Sequence, residues 1–415
     1  MLISKIVSIG DEILIGQIVN TNASFISDKL YSIGIPVKKI ITIGDTEEAL
    51  ANELDDSINN FDVTIITGGL GPTHDDITKP VLIKYFNDEL ITNEKVLEHV
   101  KKIFSGRGVS MPKVNYGQAL VPKNSKVVWN NNGTAPGIWL EKNNKIFVSL
   151  PGVPFEMKAM MTETVLPMLK EKYADIINYV LKSKTLLTTG IGESFLSDMI
   201  GNVNEIIGDN KLAFLPSAYG VRLRIDVKGV SDEDAGKKIY CIEKKLIEKI
   251  GNYIFGENDE LLENKIGELL LTNKLTISVA ESCTGGLLAS MITDVSGSSK
   301  YFIGGICTYS NESKINILGV NKETIEKYGA VSEETAMEMA EKVRNKFGSD
   351  IGISTTGIAG PKGGTGLKPV GLVWIGYSDK NKTFAKKYMF GNNRGRTKLR
   401  SSYMAMEILR NQLNY

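Results

Sequence analysis

Short apolar, β-branched runs that end in glycine, each followed by an amphipathic stretch, recur through most of this chain. The first such run, Ile3 to Ile9 (ISKIVSI), leads into Gly10, and Val63 to Thr67 (VTIIT) leads into Gly68. Between them Asn22 to Ile33 and Glu47 to Ile58 carry helical spacing. A helix between strands returns the chain in its original direction, so the alternation predicts a mostly parallel, doubly wound α/β sheet over residues 1–170. Ligands of such sheets sit at the carboxyl ends of the strands.

The pattern changes over residues 171–255. Strands are expected at Leu181 to Thr188 and Gly220 to Lys228 and helices at Glu193 to Ile200 and Asp232 to Ile250, which together describe a small α+β unit. A K-homology-like nucleic-acid module would bind through a G-x-x-G loop, and this segment has none. A packing or dimerisation role is the stronger expectation, with the alternating run Val221 to Val227 as the stretch that would pair subunits. From 256 to 415 strands (Leu275 to Ala280, Tyr301 to Tyr309, Asp350 to Thr355, Gly371 to Gly376) again alternate with helices (Asp259 to Thr272, Glu333 to Lys346, Thr397 to Leu409). A third domain, α/β in class, is expected there.

Bulk properties remove several function classes. Across 415 residues, 49 Lys and Arg face 48 Asp and Glu, for a net charge of +1, which argues against nucleic acid as a partner. No apolar run approaches the ~20 residues of a membrane-spanning helix, and the first residues read as a strand rather than a secretory leader. No membrane partner and a cytoplasmic location are therefore expected. Three separated cysteines, Cys241, Cys283 and Cys307, form no C-x-x-C and argue against a disulfide framework or structural zinc.

The two histidines, His74 and His99, both lie in the first quarter of the chain, so a Ser-His-Asp triad within the third block is excluded. Any serine hydrolase there must take its base from Lys or Tyr. Glu281-Ser282-Cys283-Thr284-Gly285-Gly286 turns a strand into a helix, which puts Ser282 where free N–H groups could hold an oxyanion. Capping that helix is the plain alternative. Tyr309-Ser310-Asn311-Glu312-Ser313-Lys314 starts another helix with Lys314 in its first turn, where the helix field would favour a neutral amine. Ser282, Tyr309 and Lys314 thus form a candidate nucleophile and acid/base set, and Cys283 is a competing nucleophile. Thr284 and Gly285 of the first turn are candidate substrate contacts. So are Thr356, Gly357 and Gly360 of the glycine-dense run after the strand ending at Thr355, which lacks the ending of an ATP-binding P-loop. Arg394, Arg396 and Arg400 stand near the last helix, and Arg396 is the choice for pairing with a 5′-phosphate.

In the first block, Thr67-Gly68-Gly69-Leu70-Gly71-Pro72-Thr73-His74-Asp75-Asp76 follows a strand. Gly68, Gly69 and Gly71 could let backbone N–H groups form a phosphate nest, and Asp75 and Asp76 beside such a nest suggest a divalent cation between them and the ligand. Helix capping by Asp76 is the structural alternative. Thr134 of Gly133-Thr134-Ala135-Pro136-Gly137, and Pro151, Gly152 and Glu156 of the run Leu150 to Glu156, lie at the ends of further apolar runs.

At these residues the chain resembles the competence/damage-inducible protein A (CinA) family over its whole length. The matching stretches are GDEILIGQIVNTN, TGGLGPTHDDIT, GTAPG, LPGVPFE, AESCTGG, TYSNESK and STTGIAGPKGGT. The resemblance implies a molybdopterin-binding-like domain, a K-homology-type domain and a nicotinamide-nucleotide amidohydrolase domain. It implies that the last hydrolyses the carboxamide of nicotinamide mononucleotide without a cofactor. Ser282 would be the nucleophile, Tyr309 and Lys314 the acid/base groups, and Thr356 and Arg396 substrate contacts. It further implies a metal-dependent ADP-ribose pyrophosphatase in the first domain and a homodimeric assembly. A molybdopterin-handling transferase and a non-enzymatic competence or recombination adaptor are the alternative readings.

Overall fold

A computed structural model describes residues 2–73, 76–106, 108–217 and 220–413. The expected first sheet is built from β1 (Ser4–Ile9), β2 (Val37–Ile43) and β3 (Val63–Thr67), with β6 (Lys126–Val128), β7 (Gly137–Lys142) and β8 (Lys145–Leu150). A short ladder of β4 (Leu90–Thr92) and β5 (Leu120–Pro122) stands apart. The main order is β2-β1-β3-β8-β7-β6; β2, β1, β3 and β8 run parallel, and β7 and β6 extend the sheet antiparallel. Two helices, α1 (Thr21–Ser32) and α2 (Glu47–Asn60), make the crossovers, and α3 (Thr78–Phe86) follows β3. Period-two alternation divides the core: Ile6, Ile65 and Val148 pack on one face, Val7, Ile66 and Phe147 on the other. Because the central strands are buried on both faces, they are rich in Ile and Val, with Ser4, Lys5, Ser8, Thr64 and Thr67 buried among them, which makes them visible in sequence.

The middle segment forms a four-stranded sheet in the order β10-β11-β9-β12, from β9 (Val180–Thr188), β10 (Lys211–Pro216), β11 (Val221–Gly229) and β12 (Ile254–Glu257). Its two longer helices are α4 (Glu193–Ile200) and α5 (Asp232–Ile250), at the expected bounds, with a short helical turn at Val203–Ile207 between them. One expectation is corrected here. β11 lies between β10 and β9, so both of its edges are already hydrogen-bonded. The alternation of Val221, Leu223, Ile225 and Val227 marks one face buried in this sheet's own core, and the strand has no open edge for pairing subunits.

The third domain has a five-stranded sheet, β14-β13-β15-β16-β17, from β13 (Ile277–Glu281), β14 (Phe302–Cys307), β15 (Ile351–Gly357), β16 (Leu372–Ser378) and β17 (Thr383–Met389). β13 is central to a parallel trio with β14 and β15, and β16 and β17 form an antiparallel extension. On one face pack α6 (Leu262–Asn273), α7 (Leu287–Thr293) and α9 (Arg394–Leu413), and on the other α8 (Glu333–Phe347). By compactness the chain divides into two units, one holding the first 182 residues with Lys228–Lys237, the other Ser183–Val227 with Lys238 onward.

Candidate active site

The carboxyl end of β13 delivers Glu281 and Ser282 into the turn before α7. Ser282 N–H donates to the Thr355 carbonyl on β15 (2.9 Å), and the hydroxyls of Thr284 and Thr355 share a hydrogen bond of 2.6 Å. Positive φ at Gly285 (61°) and Gly286 (91°) closes the turn, a conformation that favours glycine. The buried Glu281 carboxylate accepts from the N–H groups of Gly286 (2.9 Å), Leu288 (3.1 Å) and Ala289 (2.8 Å). The helix amides expected to receive an oxyanion are therefore occupied by Glu281, which fixes the turn carrying Ser282.

Lys314 comes to Ser282 from the neighbouring strand. After β14, Ser310 caps a helical turn through a reciprocal pair of bonds with Ser313, and Lys314 follows directly. Lys314 is only 1% exposed. Its Nζ lies 3.0 Å from Ser282 Oγ and donates to the Thr308 carbonyl at 2.8 Å. Among the described residues no carboxylate lies within ion-pair distance of it. Burial lowers its pKa to about 8, with the nearby Cys283 and Cys307 thiols acting in the opposite direction. The sequence attributes this loss of basicity to the helix field; in the structure desolvation is the main cause. Cys283 is buried, and that burial pushes its thiol up to about 12, so it is a poor source of thiolate.

The other expected residues divide. Tyr309 is 59% exposed, and its hydroxyl accepts from Arg394 (2.6 Å), whose other terminal nitrogen donates to the Gly360 carbonyl (3.2 Å). Arg394 is therefore the arginine that joins Tyr309 to the glycine-dense loop. Arg396 donates its backbone N–H to Asn393 Oδ1, and its side chain is exposed. The Thr356 hydroxyl donates to the Ala330 carbonyl (2.6 Å). Gly357 is required by packing, since a β-carbon there would lie 2.6 Å from the Leu372 carbonyl oxygen. Glu281 and Arg394 are the neighbours that sequence reasoning did not select. Signals for both existed: an acid immediately before the serine, and an arginine at the first position of the last helix.

In the first domain the expected loops do converge at the carboxyl ends of the parallel strands. Gly68 (φ 106°) leaves no room for a side chain, because a β-carbon there would stand 2.4 Å from the Ile9 carbonyl oxygen. A β-carbon on Gly152 would be 3.6 Å from Gly68 Cα, and the Gly152 carbonyl accepts from Asn22 Nδ2 (2.7 Å). Gly69 binds back to Thr78 N–H through its carbonyl. Asp76 spends its carboxylate on the loop, accepting from Gly71 N–H (2.6 Å), Thr73 N–H (2.8 Å) and Thr73 Oγ1 (2.6 Å). His74 and Asp75 lie outside the described residues, among which no cluster of three metal-ligating side chains occurs. Glu156 accepts from Asn130 Nδ2 (2.8 Å) and fills the space beside Gly133, next to the partly buried Thr134; Pro151 is buried at the end of β8. Lys79 on α3 donates to the Gly117 and Gln118 carbonyls, and burial lowers its pKa to about 8 against the pull of Asp76.

Among the described residues no helix is long and apolar enough to cross a membrane. Residues 5–171 match the family described as "Probable molybdopterin binding domain", 183–256 the "Damage-inducible protein CinA KH domain", and 259–413 the "CinA C-terminal domain". A CinA-like protein of Chloroherpeton thalassium is 46% identical over the full length of both chains. A protein named as competence-damage inducible in Clostridium botulinum is 45% identical over 99% of each. Among solved structures, competence/damage inducible protein CihA from Agrobacterium tumefaciens is 35% identical over 38% of this chain and 98% of its own, with a TM-score of 0.36.

Proposed function

Taking as premise that the chain belongs to the CinA family, we propose that its carboxy-terminal domain hydrolyses the carboxamide of nicotinamide mononucleotide to nicotinate mononucleotide and ammonia. The observation that carries this reading is the 3.0 Å approach of Lys314 Nζ to Ser282 Oγ in a buried setting that lowers the lysine pKa to about 8. A neutral amine at that distance accepts the hydroxyl proton as Ser282 Oγ bonds to the carboxamide carbon. The tetrahedral adduct collapses by breaking the C–N bond, and Lys314 returns the proton to the departing nitrogen, which leaves as ammonia. Water then repeats the attack on the acyl ester, Lys314 again taking the proton, and Ser282 is regenerated. With the N–H groups of Gly286, Leu288 and Ala289 engaged by Glu281, the oxyanion is met by donors other than these amides. The test is ammonia release from nicotinamide mononucleotide by the wild type and by Ser282→Ala; full activity in the variant removes the mechanism.

For the first domain the reading is a pyrophosphatase acting on ADP-ribose, supported by the convergence of the Gly68 and Gly152 loops. A divalent cation belongs to this reading; among the described residues Asp76 is committed to its loop and no group of three metal-ligating side chains is assembled. AMP release from ADP-ribose, with and without added divalent metal, tests it. The match of residues 5–171 to a molybdopterin-binding family keeps a pterin-handling role as the second reading, which copurification of a pterin would favour.

A further inference from the structure

Buried polar atoms without partners single out one residue beside the Ser282–Lys314 pair. Thr308 follows β14 and is fully buried, and its Oγ1 makes no hydrogen bond among the described residues. Its backbone is engaged on both sides: the N–H donates to the Glu281 carbonyl (2.8 Å) and the carbonyl accepts from Lys314 Nζ (2.8 Å). Glu281 and Cys307 are partners in the ladder of β13 and β14, so Thr308 stands opposite Ser282 one residue further on. Ala280 and Ile306, two residues back on each strand, share one core cluster with Leu318 of the turn Lys314–Leu318. By period-two alternation Ser282 and Thr308 continue that face, which is the one Lys314 packs against.

Thr308 and Lys314 have complementary deficits. When the Ser282 O–H bond breaks and its proton passes to Lys314, the nitrogen becomes an ammonium with three N–H groups. One is held by the Thr308 carbonyl and one faces Ser282 Oγ, and the third has no acceptor among the described residues. In a buried site an ammonium N–H without an acceptor is costly, and so is a hydroxyl without a donor. The titratable groups that bear on Lys314 are the Cys283 thiol, from the turn after β13, and the Cys307 thiol, from β14. Burial raises the pKa of both thiols, so neither offers the ammonium a counter-charge, and the Glu281 carboxylate is spent on the amides of α7. We propose that Thr308 is a positioning residue of the pair: a rotation of its side chain lets the hydroxyl oxygen accept the third N–H of protonated Lys314, holding the ammonium while the tetrahedral adduct forms and breaks. This rests on the reading that Lys314 takes the Ser282 proton, and it holds whichever amide is attacked.

The experiment compares the full-length wild type, Thr308→Val and Thr308→Ser. The rate at which phenylmethylsulfonyl fluoride sulfonylates Ser282, read by mass spectrometry across pH, reports the base without any amide substrate. The hydroxyl favours the protonated amine, so its removal lowers the Lys314 pKa: the rising limb of labelling moves about one pH unit lower in Thr308→Val and stays at the wild-type position in Thr308→Ser. No labelling of Ser282 in the wild type, or an unmoved limb in Thr308→Val, overturns the proposal. In parallel, ammonia release from nicotinamide mononucleotide is followed on the high-pH plateau. Thr308→Val lowers kcat about tenfold with KM little changed, and Thr308→Ser restores it. A rise in KM at constant kcat would instead make Thr308 a substrate contact and overturn the role. Denaturation midpoints separate this from packing: exchanging an unpaired buried hydroxyl for a methyl leaves Thr308→Val at least as stable as the wild type, whereas a lower midpoint with an unmoved limb assigns the hydroxyl to the fold. If the wild type releases no ammonia from nicotinamide mononucleotide yet the labelling limb moves in Thr308→Val, the substrate reading fails and the role of Thr308 stands.

Discussion

Lys314 Nζ and Ser282 Oγ lie 3.0 Å apart, and among the described residues the other hydrogen bond of that nitrogen is to the Thr308 carbonyl. A carbonyl only accepts, so that bond consumes one N–H and leaves the nitrogen lone pair of the neutral amine for the serine proton. Lys314→Ala should lower kcat for ammonia release by roughly 10²–10⁴-fold. Lys314→Arg should not rescue it, because a guanidinium keeps its proton throughout the accessible pH range. Steady-state ammonia release checks both, and a rescue by arginine would show that only positive charge is needed.

The lowered pKa of Lys314 gives a pH signature. If the neutral amine is the base, kcat/KM rises with pH through an apparent pKa near 8 and levels off above it, and Lys314→Ala lacks that limb. Stability follows by linkage. The folded state releases the Lys314 proton at about 8 and the unfolded chain at the ordinary 10.5, so between these values the unfolded state binds more protons and stability rises with pH. Below that window the cost of burying the charge is fully present. Denaturation midpoints of wild type and Lys314→Met, compared across the window, should converge as pH rises.

Much of this arrangement was legible because it follows from local chemistry. Val63–Thr67, Glu193–Ile200 and Asp232–Ile250 have the bounds that periodicity predicts, and the strand-turn-helix around Ser282 follows from an apolar run meeting two glycines. What escaped depends on packing between distant segments. β17 (TFAKKYM) is an edge strand with two exposed lysines, a pattern that protects an edge and conceals the strand. The burial of Lys314 arises where the chain after β14 folds against β13. The contact of Arg394 with Tyr309 and Gly360 is likewise tertiary, and at about 100° per residue Arg396 points away from that face of α9.

Glu281 supplies a stability prediction. Its carboxylate holds three backbone N–H groups inside the fold, and hydrogen bonds to a charged acceptor are among the stronger ones. Glu281→Ala leaves those donors without their acceptor and should cost about 3 kcal/mol, with Glu281→Gln intermediate. Urea denaturation with an unchanged m-value is the measurement. A loss below the error of the method would mean that water replaces the carboxylate at the start of α7.

Tyr309 is separated from the proton-transfer pair by its contacts. It is largely exposed and accepts from Arg394, with no hydrogen bond to Ser282 or Lys314 among the described residues. Tyr309→Phe should therefore reduce kcat by less than about tenfold, far less than Lys314→Ala, with its main effect on KM through a loosened Arg394. A kcat loss equal to that of Lys314→Ala would place the phenol in the proton relay.

Asp76 decides how the first domain uses its glycine loop. Both carboxylate oxygens accept from Gly71 and Thr73, so the side chain works as the internal acceptor of the loop and needs no cation to be satisfied. Asp76→Ala frees these donors and lets the loop relax, and AMP release from ADP-ribose should fall by roughly 10²-fold, as expected when positioning is lost. The half-saturating concentration of divalent metal should stay unchanged. A ligand would behave otherwise: its removal raises the metal requirement, and excess metal recovers part of the rate. Titrating metal against wild type and Asp76→Ala separates the two, because a shift in half-saturation assigns the carboxylate to the cation and an unshifted curve with a lower plateau assigns it to the loop.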